Sequence, residues 1–134
     1  MIALLLIASL SMRGFFKDGF PSLHIEVAGN AEAARKITVI IDTGFDGHLA
    51  LPYTEAFPIG LTLETIDSGR MADGTFVPYL RCTGMVMVGE KRVRAVIDVQ
   101  QNSRCLLGTA LLKDLGCAVK IDPVAETVEL IEVR

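Results

Sequence analysis

The chain has 134 residues, 51% of them hydrophobic, with no tryptophan and a net charge of −3. That length favours one domain, large enough to bury a core without disulfide or metal staples. The acidic balance, with a pI near 5.3, provides no basic footprint for nucleic acid, and three widely spaced cysteines argue against a disulfide scaffold.

Residues 1–11, MIALLLIASLS, form an apolar run too short to span a bilayer, so no stable membrane span is expected. Three readings of the run stay open. Met12 is the natural start and the run is an over-extended reading frame; the run adds an N-terminal strand or helix; or it is a weak signal whose n-region is only Met1. Cys82, Cys105 and Cys117, read as reduced thiols, point to the cytoplasm. The signal reading would instead place the protein in the periplasm or at a membrane.

From Met12 to Arg134 the pattern is that of one domain of short strands and turns. Met12 to Lys17 reads as a strand, followed by a turn at Asp18-Gly19 and Pro21. Leu23-His24-Ile25-Glu26-Val27 alternates apolar and polar residues, which suits a half-buried strand. Lys36 to Ile41 is nearly all β-branched and leads into Asp42-Thr43-Gly44. Leu49 to Leu51 returns briefly before Pro52, and Tyr53 to Phe57 reads as one helical turn closed by Pro58 and Gly60. Two long extended segments, Leu61 to Met71 and Thr75 to Val88, flank Asp73-Gly74, a hairpin signal. Arg92 to Val99 follows the turn at Gly89-Glu90. Thr109 to Leu115 is the best helix, with Thr109 able to cap its start and Gly116 placed to end it. Cys117 to Ile121 and Thr127 to Val133 make a last hairpin around Asp122-Pro123. The expected class is an all-β, barrel-like domain with one short C-terminal helix.

Asp42 sits where a charge is hard to place. The strand before it enters the core, and a carboxylate there must be hydrogen-bonded, paired or protonated. Thr43 adds a hydroxyl, and Gly44 lets the backbone come close and offer its N–H. The modest reading of this tripeptide is an Asx-type turn, in which Asp42 caps its own loop. The chemical reading needs a second carboxylate. Two that share a proton can divide the work, one taking a proton from water and the other donating to a carbonyl.

Ile40-Ile41-Asp42-Thr43-Gly44, with Leu106-Leu107-Gly108 before a short helix, resembles the retropepsin-like aspartic proteases. The longer stretch Asp42-Thr43-Gly44-Phe45-Asp46-Gly47 followed by Leu49-Ala50-Leu51-Pro52 is similar to the small bacterial single-domain branch. So is the opening Met12-Arg13-Gly14 with Asp18-Gly19-Phe20-Pro21. The resemblance covers about Met12 to Arg134. It implies a retropepsin-like acid-protease β-barrel that is half of a two-fold dimer. It further implies an aspartic endopeptidase that hydrolyses peptide bonds with water activated between the Asp42 carboxylates of two copies. Asp42, Thr43 and Gly44 would be the catalytic set, and Leu106, Leu107 and Gly108 a structural motif packed beside it. Phe45 and the flap residues Asp73, Gly74 and Thr75 would meet a peptide or protein substrate, with Phe76 and Val77 lining apolar pockets. No cofactor and no metal is implied.

The chain holds a single Asp-Thr-Gly, so the second carboxylate must come from another copy across an isologous interface. Phe45 departs from the Ala or Ser usual in viral and pepsin-type members and cannot hydrogen-bond the aspartate, and Asp46 adds a nearby negative charge. The alternative reading is a catalytically weak or inactive module of the same fold that dimerises or binds peptides. A metal cluster of Asp42, Asp46 and His48 matches no ligand spacing, and a solvated loop is the better reading of those residues. No local signature makes Cys82, Cys105 or Cys117 a nucleophile.

Overall fold

A computed structural model describes residues 11–31, 33–101 and 103–133. The three readings of the N-terminal run fall mostly on residues 1–10, outside the described residues. Among the described residues there are eleven strands. They are β1 (Ser11–Arg13), β2 (Phe15–Lys17), β3 (Phe20–Ala28), β4 (Arg35–Ile41), β5 (Leu49–Pro52), β6 (Thr62–Arg70), β7 (Phe76–Val88), β8 (Lys91–Gln100), β9 (Leu106–Leu107), β10 (Cys117–Asp122) and β11 (Thr127–Glu132). Helix α1 (Tyr53–Ala56) runs into a 3-10 turn over Phe57–Ile59, and helix α2 (Thr109–Leu115) follows β9. The architecture is all-β with short helices, as the run of strand and turn signals implies. No helix among the described residues is long and apolar enough to cross a membrane.

The large sheet has the order β2-β3-β4-β9-β5-β8-β7-β6, and a further pairing of β3 with β7 brings the path back on itself. Six strands therefore form a closed circuit of pairings, and the apolar faces turn inward. Leu23, Ile25 and Val27 of β3 are buried while His24 is exposed and Glu26 only half-buried, the period of two expected of a half-buried strand. Ile37, Val39 and Ile41 of β4 meet them in the same core with Ile97 and Val99 of β8. Fully burying each such side chain is worth about 1.5–3 kcal/mol before chain entropy is counted. Leu111, Leu112 and Leu115 of α2 join this core, so the helix is fixed by its apolar stripe.

The expected strand over Met12–Lys17 is in fact two. β1 pairs with β11 in a separate three-stranded sheet, whereas β2 pairs with β3. The break is at Gly14, where an added Cβ would run into the Ser22 carbonyl oxygen and sit 3.1 Å from Val128. Gly14 N–H also donates to Val128 O (2.9 Å), which pins the crossing between the sheets. Pro58 does not close the helical turn either; it lies at the start of the 3-10 turn, where a missing N–H removes no bond.

Candidate active site

The candidate site is built at the end of β4. Ile37, Val39 and Ile41 point into the core, so alternation puts Thr38, Ile40 and Asp42 on the opposite face. β9 lies beside this end, parallel to β4 with Ile40 opposite Leu106 and Ile41 opposite Leu107, and antiparallel to β5. The ladder continues one residue past the strand, because Asp42 N–H donates to Leu107 O at 3.0 Å. The backbone of Asp42 is thus held by the Leu-Leu-Gly segment. Its half-buried carboxylate accepts the Gly44 N–H through Oδ1 at 2.9 Å. That bond is the Asx-type turn of the modest reading, and it leaves Oδ2 outside the turn.

The loop from Asp42 to His48 also serves as the cap of α2. This helix has no side-chain cap, and its first donors would otherwise lack partners. Gly108 N–H donates to His48 O (3.0 Å), Thr109 N–H to Phe45 O (2.9 Å) and Ala110 N–H to Gly47 O (3.2 Å). Thr109 therefore does not cap the helix as its sequence position suggests. Gly108 takes the N-cap position, and the Thr109 hydroxyl lies 3.4 Å from Phe45 O. The loop and helix approach so closely at Gly108 that an added Cβ would overlap Gly47 O and lie 2.6 Å from Phe45 O. Gly116 ends the helix in the left-handed conformation, as expected.

Phe45 is half-buried, and its ring covers two glycines, with ring atoms 2.6 Å from a Cβ built at Gly47 and 2.7 Å from one at Gly108. Thr43, Gly44 and Asp46 are exposed around it. His48, assigned on sequence grounds to a solvated loop, is instead tied down, with a side chain only 18% exposed. Its ring nitrogens meet Val96 N–H and the Asp114 carboxylate. Nothing local signals these partners, since Asp114 is 66 residues away.

Asp73, Gly74 and Thr75 lie at the tip of the β6–β7 hairpin. The connection is a five-residue loop over Met71–Thr75 rather than a two-residue turn, closed by Met71 N–H donating to Thr75 O (2.7 Å) and Gly74 N–H to Met71 O (3.0 Å). Asp73 Oδ1 accepts the Thr75 hydroxyl (2.6 Å) and the Thr75 N–H (2.9 Å). Those bonds, the hydroxyl first, hold its carboxyl below the usual value of 3.8. β8 pairs with β7 only from Leu80 onward, so Phe76–Tyr79 and their β6 partners extend as a two-stranded arm. Phe76 is exposed on that arm and Val77 half-buried. The structure brings the Leu-Leu-Gly segment to Asp42. It shows no hydrogen bond between the hairpin tip and the Asp42 loop among the described residues.

No family model matches the chain, and no curated protein matches it. Among solved structures it is similar to EIAV protease complexed with the inhibitor HBY-793. The TM-score is 0.58 at 17% identity, over 76% of this chain and 93% of that one. The chain has the fold of a retroviral protease.

In this retroviral-protease fold the side chains near β4 limit the available chemistry. Burial first, then the Glu55 charge, pushes the Cys105 thiol up to about 11, so at neutral pH it is a protonated, weak nucleophile. Burial likewise raises the thiols of Cys82 and Cys117. Both nitrogens of His48 are already engaged, and no group of three His, Cys, Asp or Glu side chains suited to a metal occurs among the described residues. Asp42, at the end of β4, keeps one carboxylate oxygen outside its own turn.

Proposed function

We propose that the chain is an aspartic endopeptidase that works as a homodimer. The observation that carries this reading is the seating of Asp42, a carboxylate at the end of a buried strand in a retroviral-protease fold. Its main chain is bonded to Leu107, and its Oδ1 is bonded to Gly44 N–H. One copy supplies one such carboxylate. Two copies related by a two-fold axis would bring Asp42 and its twin together, with Thr43 beside the axis.

Close carboxylates share one proton, because like charges at that distance cannot both ionise. The ionised member takes a proton from water, and the water oxygen attacks the peptide carbonyl carbon. The protonated member donates to the carbonyl oxygen, giving a tetrahedral diol without a covalent enzyme intermediate. Collapse breaks the C–N bond as the amine leaves with a proton. The arm bearing Asp73, Gly74 and Thr75 would cover the peptide and pair with its backbone as an added strand, with Phe45, Phe76 and Val77 available to apolar side chains.

The test compares the full chain with Asp42→Asn on a diverse peptide library between pH 4 and 7, across a range of enzyme concentrations. Cleavage by the wild type alone, with specific activity that rises with concentration and then levels off, supports the dimer protease. Equal cleavage by both proteins would assign the activity to another group. Peptide binding that survives Asp42→Asn without any turnover would favour the inactive binding module.

A further inference from the structure

His48 closes the Asp42 loop, and its side chain makes two hydrogen bonds that peptide hydrolysis does not use. Val96 N–H donates to Nδ1 at 3.2 Å, and Nε2 lies 2.7 Å from Asp114 Oδ2. An imidazole that accepts at Nδ1 and donates from Nε2 satisfies both partners at once. The first bond fills a gap in the sheet. Pairing between β5 and β8 begins with Leu49 opposite Ile97, so Val96 N–H falls one residue short of that ladder. The imidazole stands where a strand carbonyl would be. The second bond reaches the exposed carboxylate of Asp114, the residue before the last in α2. The main-chain carbonyl of His48 accepts Gly108 N–H at 3.0 Å.

One residue thus fastens the loop to β8, to α2 and to the Leu-Leu-Gly corner. Apart from His48, the loop is held by its own turn, by the Phe45 ring and by main-chain bonds, with Asp42 N–H on Leu107 O. Thr43, Gly44 and Asp46 are exposed, and the loop's other hydrogen bonds to α2 among the described residues all end on the carbonyls of Phe45 and Gly47, from backbone N–H groups and the Thr109 hydroxyl. A loop that carries a reacting carboxylate must be held to a fraction of an ångström to be useful.

We propose that His48 is a positioning residue for Asp42. Its imidazole clamps the 42–48 loop between β8 and α2 and fixes where the Asp42 carboxylate sits. The catalytic consequence rests on the protease reading; the clamp on the loop does not.

The test uses the full chain and the variants His48→Ala, Asp114→Ala and Asp114→Asn. Amide hydrogen exchange is read at Phe45 and Gly108 and compared with the β10–β11 hairpin. His48→Ala and Asp114→Ala should speed exchange at Phe45 and Gly108 about tenfold relative to the hairpin, as expected for losing a hydrogen bond to a charged group. Asp114→Asn keeps an accepting oxygen and should restore most of the protection. If peptides are cleaved, His48→Ala should lower kcat and leave KM nearly unchanged. A rise shared equally by loop and hairpin, or no rise at all, would overturn the clamp. The Asp114 variants read the clamp from an exposed position even if His48→Ala does not fold. Local loss of protection with no cleavage by the wild type would retire the protease and keep the clamp. Cleavage with kcat and loop exchange unchanged in His48→Ala would do the reverse.

Discussion

Replacing Gly108 with Ala adds one methyl group at the closest approach between the Asp42 loop and α2. The backbone there has φ −102° and ψ 177°, which any residue adopts, so the effect is steric. The new Cβ would overlap Gly47 O and lie 2.6 Å from Phe45 O and 2.7 Å from Phe45 Cδ2. The two carbonyls accept from Ala110 and Thr109, so moving the loop away breaks the bonds that cap the helix. Overpacking of this kind costs about 1–3 kcal/mol, and the two hydrogen bonds add about 1 kcal/mol each. A stiffer unfolded chain returns about 0.5 kcal/mol. The net loss is about 3 kcal/mol, a large share of the roughly 5–15 kcal/mol that holds a domain together. With a urea slope of about 2 kcal/mol/M, the unfolding midpoint should fall by about 1.5 M. Equilibrium urea denaturation followed by circular dichroism measures it. A midpoint within about 0.3 M of wild type, at unchanged slope, would mean that the loop yields without cost and that the capping argument is wrong.

The hairpin tip should respond to acid. The Asp73 carboxyl is held below 3.8 by its bonds from Thr75, so its contribution to tip order is present above that value and disappears as pH falls below it. Protection of the Thr75 amide, taken against the intrinsic exchange rate at each pH, should then fall on acidification in the wild type, and Asp73→Asn should flatten this response. Burial acts with the opposite sign at Cys105. Its thiol is raised to about 11 from a usual 9.0. The unfolded chain ionises first as pH rises, and the stability that Cys105 contributes below pH 9 is lost between about 9 and 11. Alkylation by iodoacetamide at pH 8 should accordingly be slow in the native protein and fast in urea, and equal rates in the two states would contradict the burial.

Much of the fold is legible in the sequence, because strand signals are local. The alternation over Leu23–Val27 and the β-branched run before Asp42 mark β3 and β4 through side-chain sterics and burial within a few residues. The helix over Thr109–Leu115 is marked by its apolar spacing and by Gly116. Asp42 at a strand end is legible for the same reason, since a carboxylate after an apolar run is anomalous wherever the rest of the chain goes. Local signals say less where one residue answers to two partners. Met12–Lys17 reads as a single strand because nothing nearby shows that Gly14 passes against Ser22 and Val128. β9 is only two residues long, too short for a period, and becomes a strand because β4 and β5 flank it.

By itself, the sequence determined the all-β class, the order of the longer elements and the tripeptide that bears the candidate carboxylate. Each depends on propensities and turn chemistry carried by neighbouring residues. Only the tertiary structure decided what holds that carboxylate in place. Phe45 is a cover over Gly47 and Gly108, Thr109 receives its cap from the loop, and His48 reaches Asp114 and Val96. These pairings join residues up to 66 positions apart. They exist because burying the apolar faces of β4, β8 and α2 in one core brings that loop against that helix, and the backbone donors left at the seam must find acceptors there.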